Sequence, residues 1–79
     1  MSTTKQTSEK KLGDLVYDGI FSMIASGEIA ENVRLPSEVE LGRHFGVSRP
    51  VVREALARLR DDGLIQSRRG SGSYVMRKP

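Results

Sequence analysis

The sequence predicts a mostly α-helical domain with a small antiparallel β-wing. Three observations carry that expectation. Residues Leu35 to Leu59, LPSEVELGRHFGVSRPVVREALARL, hold two short helical patterns joined by a tight turn. Ahead of them, Lys10 to Ser26 shows a helical apolar period. After them, two short strand-like runs flank the loop Arg68-Arg69-Gly70-Ser71-Gly72. Two helices joined by a Gly-containing turn form a helix-turn-helix. Followed by a β-hairpin, the arrangement is a winged helix-turn-helix.

Residues 1–9 are polar, rich in Ser and Thr, and without periodicity, which predicts a disordered N-terminal arm. The folded domain is expected over 10–76. Its first helix runs from Lys10 to Ser26, with Leu12, Val16, Ile20, Met23 and Ile24 on one broad face and Tyr17 at the edge. Gly13 and Gly19 weaken it slightly, and Gly27 is placed to cap it. Leu15 and Phe21 lie toward opposite margins of the apolar arc, as partly exposed residues or as a dock for a further domain. Val33 to Leu35 reads as a short strand.

Ser37 and Glu40 have the spacing of a capping box. Leu41 and Phe45 then give the second helix one apolar face, with Gly42 tolerated at a cost of about 1 kcal/mol against Ala. Gly46 stops that helix where a left-handed residue costs least, and Val47 plugs the turn. Pro50 favours the first helical position, which would make Arg49 the next cap. Ser48 has the better capping group and is the assignment carried forward. The third helix buries Val52, Ala55, Leu56 and Leu59 at i, i+3, i+4, i+7. Glu54 and Arg58 are spaced for an i, i+4 pair, and Gly63 ends the helix. Leu64 to Ser67 and Ser73 to Met76 form the hairpin. Residues 77–79 read as the start of a linker. The expected core joins Leu41, Phe45, Val47, Val52, Leu56, Leu59, Ile65 and Val75.

The other side of the third helix is basic. At about 100° per residue, Arg49, Arg53 and Arg60 fall within roughly 40° of one another. Pro50 and Val51 lie in its first turn, where a recognition helix meets base edges. The net charge is +3 and unevenly spread. Residues 1–33 carry three Lys or Arg against five acids, residues 34–47 balance, and residues 48–79 carry eight against three. A positive excess that starts at the third helix points to a polyanionic partner. Arg68 and Arg69 put further cations at the wing.

Other functions find little support. Cys is absent, so disulfides and thiolate metal sites are excluded, which suits a reducing cytoplasm. No apolar run approaches a membrane span. The single histidine, His44, has no nucleophile or carboxylate pattern beside it and reads as a surface or helix-end residue. Gly70-Ser71-Gly72 lacks the strand-turn-helix setting of a nucleophile elbow or a dinucleotide loop. No catalytic group, metal site or cofactor is expected.

The run RLPSEVELGRHFGVSRPVVREALARLRDDGLIQSRRGSGSYV resembles the DNA-binding domain of the GntR family of bacterial transcription regulators, closest to its FadR-like branch. LPSE, the FGVSR turn, VREAL, DGLI and the RxGxGxxV wing occur in order, within Leu12 to Val75. The residue after LPSE is often Arg in that branch and here is Val39. The resemblance implies an operator-reading domain, with the third helix in the major groove and the wing at the minor groove. It implies a contact set of Arg34, Ser37, Glu38, Ser48, Arg49, Pro50, Val51, Arg53, Arg68, Arg69 and Gly70. Arg49 and Arg53 would read guanine edges, and Glu38 would orient an arginine. Arg69 and Gly70 would bring the wing to the minor groove. A homodimer on a palindromic operator, a small-molecule effector on a separate C-terminal domain, and a role as repressor are implied as well. On that reading the chain is a fragment. The rival expectation is a winged helix that binds RNA or protein, since fold does not fix function.

Overall fold

The computed structural model describes the backbone of residues 4–76 and the side chains of residues 11–76. Three helices precede one hairpin: α1 Thr4–Ala25, α2 Glu38–Phe45, α3 Arg49–Asp61, β1 Ile65–Arg68 and β2 Gly72–Val75. The helix-turn-helix and wing expected from the sequence are both present.

α1 starts at Thr4 rather than at Lys10, so residues 4–9 of the expected arm are helical. Lys, Gln and Glu in that stretch have good helix propensity, and extending an existing helix avoids the cost of nucleation. Residues 1–3, and 77–79 read as a linker, lie outside the described residues. Val16, Ile20 and Ile24 of α1 are fully buried, but Leu12 is 38% exposed. Leu12 sits where α1 passes the helix-turn-helix turn, lining an open groove with Val39, Val47 and Val51. Leu15 is exposed, whereas Phe21 packs against the core.

Ser37 and Glu40 form both bonds of the capping box. The Glu40 amide donates to Ser37 Oγ at 3.1 Å, and the Ser37 amide donates to Glu40 Oε1 at 2.8 Å. Gly46 ends α2 at φ 68°, a left-handed position that favours glycine. Gly42 has a packing reason. A Cβ there would lie 3.0 Å from the Val47 carbonyl oxygen, so a larger residue would push on the turn. Ser48 does stand at the N-cap of α3, with Pro50 in the first turn, but its side chain makes no capping bond.

Leu41, Val52, Ala55, Leu56, Leu59, Ile65 and Val75 join the α1 residues in one core. Phe45 and Val47 are only half-buried, packed on its surface rather than inside it. The expected Glu54–Arg58 pair is replaced by a longer-range one. Arg58 Nη1 lies 2.8 Å from Asp14 Oδ1, and its guanidinium carbon is 4.7 Å from the Tyr17 ring centre. Tyr17 in turn donates its hydroxyl to Asp62. These contacts tie α1 to α3.

β1 and β2 pair antiparallel, with Ile65 opposite Val75, Gln66 opposite Tyr74 and Arg68 opposite Gly72. Only the inner end of each strand is buried, so the hairpin projects from the body. The expected strand at Val33 to Leu35 is a single bridge between Arg34 and Tyr74. Its bonds are nonetheless regular: Leu35 N donates to Ser73 O at 2.8 Å and Val75 N to Val33 O at 3.1 Å. This edge anchors the wing to the approach of α2.

Candidate nucleic-acid interface

The apolar side of α3 faces α1 and β1, so its polar side must face outward. Arg49 and Arg53 stand there with side chains 60% and 62% exposed. Glu38, in the first turn of α2, reaches across to both. Its Oε1 lies 3.4 Å from Arg49 Nη2 and 3.3 Å from Arg53 Nη2, and its Oε2 is 3.4 Å from Arg53 Nε. The hydrogen bond from Arg53 is the main reason the Glu38 carboxyl is held below its ordinary range, partial burial acting against it. Glu38 thus bridges the two arginines across the turn.

The remaining expected residues separate into groups. Ser37 serves the α2 cap, while Ser48 and Pro50 are exposed at the start of α3. Val51 turns inward and is only 8% exposed, less open than its neighbours Ser48, Arg49 and Pro50. One position after Pro50, the helical rotation carries its side chain onto the Val52–Ala55 side of the helix. Arg69 and Gly70 lie at the exposed tip of the wing, with Gly70 at φ 74°. Arg34 lies along the wing: a Cβ on Gly72 would meet its Nε at 3.0 Å. Arg68 stacks over Tyr74, its guanidinium carbon 4.1 Å from the ring centre.

Two residues here lie outside the expected contact set. Arg60, already placed on the basic face of the third helix, lines the cleft between α3 and the wing together with Arg34, Glu38, Arg49 and Arg68. Its place beside Arg49 and Arg53 on the helical wheel was the available signal. Tyr74 faces the wing cations only because of the hairpin register, which the sequence did not establish. Val39 is 41% exposed beside Glu38 and leaves no cation at that point of α2.

The family model described as bacterial regulatory proteins, gntR family, matches residues 12–75. The chain belongs to that family. It is similar to the HTH-type transcriptional repressor NanR of Klebsiella aerogenes, 46% identical over 70 residues, covering 89% of this chain and 27% of that protein. Against NanR of Escherichia coli it is 42% identical over 74 residues, covering 94% and 28%. The chain thus spans about a quarter of the length of these curated relatives. Among solved structures, AraR(DBD) in complex with operator ORR3 aligns at TM-score 0.78 and 38% identity, over 81% of this chain and 77% of that one. A GntR family transcriptional regulator from Listeria monocytogenes aligns at TM-score 0.78 and 25% identity, over 81% and 56%. Among the described residues of this GntR-family chain, no helix is long and apolar enough to cross a membrane.

Proposed function

We propose that this chain binds double-stranded DNA sequence-specifically, as the operator-reading domain of a GntR-type regulator. The outward face of α3 carries the proposal: Arg49 and Arg53 lie exposed one helical turn apart, both held by Glu38. An arginine fork matches guanine O6 and N7, and the first turns of such a helix are what a helix-turn-helix presents to the major groove. Glu38, Ser37, Ser48 and Pro50 lie close enough to that face to meet base edges or backbone. Arg69 and Gly70 at the wing tip reach the adjacent minor groove. The operator-bound structural relative and the curated repressors support this assignment.

The domain acts by occupying DNA, not by catalysis. By analogy with the NanR repressors, occupancy represses transcription in the cytoplasm. The working unit is a homodimer on a palindromic operator, controlled by a small molecule that binds a C-terminal domain. Selection of bound sequences from random duplex DNA, followed by a salt titration, tests the reading. A recovered consensus, with affinity falling linearly on a log–log salt plot, is expected. Equal recovery of all sequences would overturn it.

A further inference from the structure

We infer that the cleft between α3 and the wing seats one backbone phosphodiester of duplex DNA, gripped by Arg60 and Arg68, and that Tyr74 positions Arg68 for it. The inference rests on the DNA reading above. If α3 enters the major groove and the wing enters the neighbouring minor groove, the strand between the two grooves has to cross this cleft. Four guanidinium groups line it, those of Arg34, Arg49, Arg60 and Arg68, with Glu38 as the one carboxylate. Glu38 is already engaged by Arg49 and Arg53. Among the described residues, Arg60 and Arg68 enter no ion pair. Their charge is left for an outside anion.

Free arginines in like-charged surroundings splay into solvent. Arg68 instead has its guanidinium carbon over the Tyr74 ring, 4.1 Å from its centre. The Tyr74 hydroxyl lies 3.0 Å from Ser71 Oγ, across the wing turn, which fixes the ring to the loop. A stacked guanidinium keeps its in-plane N–H groups available, and that fork matches phosphate oxygens. The Ser67 hydroxyl, also in the lining, adds a neutral donor. Tyr74 touches no phosphate in this arrangement. It is a positioning residue acting through Arg68.

The test uses the whole chain and a duplex bearing its selected site. A methylphosphonate, which removes one phosphate charge, is placed singly at each position of the strand that crosses from major to minor groove. On the natural duplex, Arg60→Ala should bind about tenfold more weakly. Its salt slope should fall by ~0.9, the mark of one lost phosphate contact. On the duplex neutralised at the crossing phosphate, Arg60→Ala should cost nothing further. Losses that multiply at every neutralised phosphate overturn the clamp.

For the positioning role, Tyr74→Phe keeps the ring under Arg68 but loses its tie to Ser71, and should weaken binding less than Arg68→Ala does. Tyr74→Leu should fall to the level of Arg68→Ala, and the double variant should fall no lower. Arg68→Lys, on the exposed wing, covers the case in which Tyr74→Leu does not fold. It keeps the charge without the stacked fork and should lose affinity while retaining the salt slope. Wild-type affinity in Arg68→Lys, or an intact slope in Arg60→Ala, overturns the respective assignment. Failure of the underlying DNA reading looks different: the unmodified chain itself would prefer no duplex.

Discussion

Arg53 meets Glu38 twice, through Nη2 at 3.3 Å from Oε1 and Nε at 3.4 Å from Oε2. Both distances are long for charge-assisted bonds, which run about 2.7–2.9 Å, so the grip is loose and DNA can displace it at small cost. On the proposed reading, the carboxylate would aim Arg49 and Arg53 and repel phosphates that approach off register. Glu38→Gln should therefore bind scrambled duplexes more tightly and discriminate less between selected and scrambled ones. Stability should change by no more than ~1 kcal/mol, because the pair is partly exposed. A depressed carboxyl pKa adds stability above the ordinary carboxylate range, and that stability is lost as pH falls through the folded value. The acid limb of the wild-type stability curve should thus be slightly steeper than that of Glu38→Gln. Paired binding isotherms on the two duplexes decide the matter, and unchanged discrimination in the variant would sink it.

The glycines of α1 give opposite predictions from the same propensity argument. A Cβ on Gly13 meets nothing within 4 Å, so Gly13→Ala should stabilise by up to about 1 kcal/mol. A Cβ on Gly19 would run into the Phe45 ring, 2.7 Å from Cζ and closer still to Cε1. Overpacking of that kind costs about 1–3 kcal/mol and should cancel or outweigh the helix gain. Thermal melts of the two variants check this. A Gly19→Ala chain as stable as Gly13→Ala would mean that Phe45 moves aside freely.

What could be read from the sequence were the features set by neighbours along the chain. The Ser37–Glu40 box, the left-handed Gly46 and the Val52, Ala55, Leu56, Leu59 stripe depend on spacings of three or four residues, and each is in place. Features set by tertiary distance were harder. Arg58 had a sequence-local partner in Glu54, but packing brings Asp14 and Tyr17 of α1 to it instead. Val51 looked like part of the exposed first turn, and one step of rotation buries it. At the site, the arginines of α3 were legible as a face. That Arg34, Arg68 and Tyr74 converge beside them depends on strand register and on the Arg34–Tyr74 bridge, which no short window of sequence encodes.

The Arg58 contacts predict a residue that matters modestly for folding and not for DNA. Arg58→Ala removes the Asp14 pair and the stacking on Tyr17, both small contributions at a solvent-screened site. Tyr17→Phe removes the bond to Asp62 that raises the tyrosine pKa. A raised pKa means that this contribution is complete below the ordinary tyrosine range and is lost as pH rises through the folded value. Alkaline denaturation should therefore begin later in Tyr17→Phe, measured relative to its own neutral-pH stability. Both variants should keep the wild-type salt slope on DNA. A changed slope would place this cluster at the nucleic acid instead.

Arg49 and Arg53 should carry most of the sequence discrimination. They stand one turn apart on the exposed face of α3, and both are long enough to pass the small Ser48 and Ala57. Each arginine–guanine pair is worth ~1–3 kcal/mol of discrimination. Replacing either by Ala should weaken binding to the selected duplex by roughly 5- to 150-fold and barely touch scrambled DNA. Arg69→Ala, at the wing tip, should instead weaken binding to all duplexes alike and lower the salt slope by ~0.9. Arg58→Ala is the control, since its partners lie on α1, away from this face. The comparison is made at one fixed salt concentration, with each variant titrated against both duplexes. If Arg49→Ala and Arg53→Ala lose affinity equally on the two, these side chains grip phosphate only, and base readout has to be assigned elsewhere than α3.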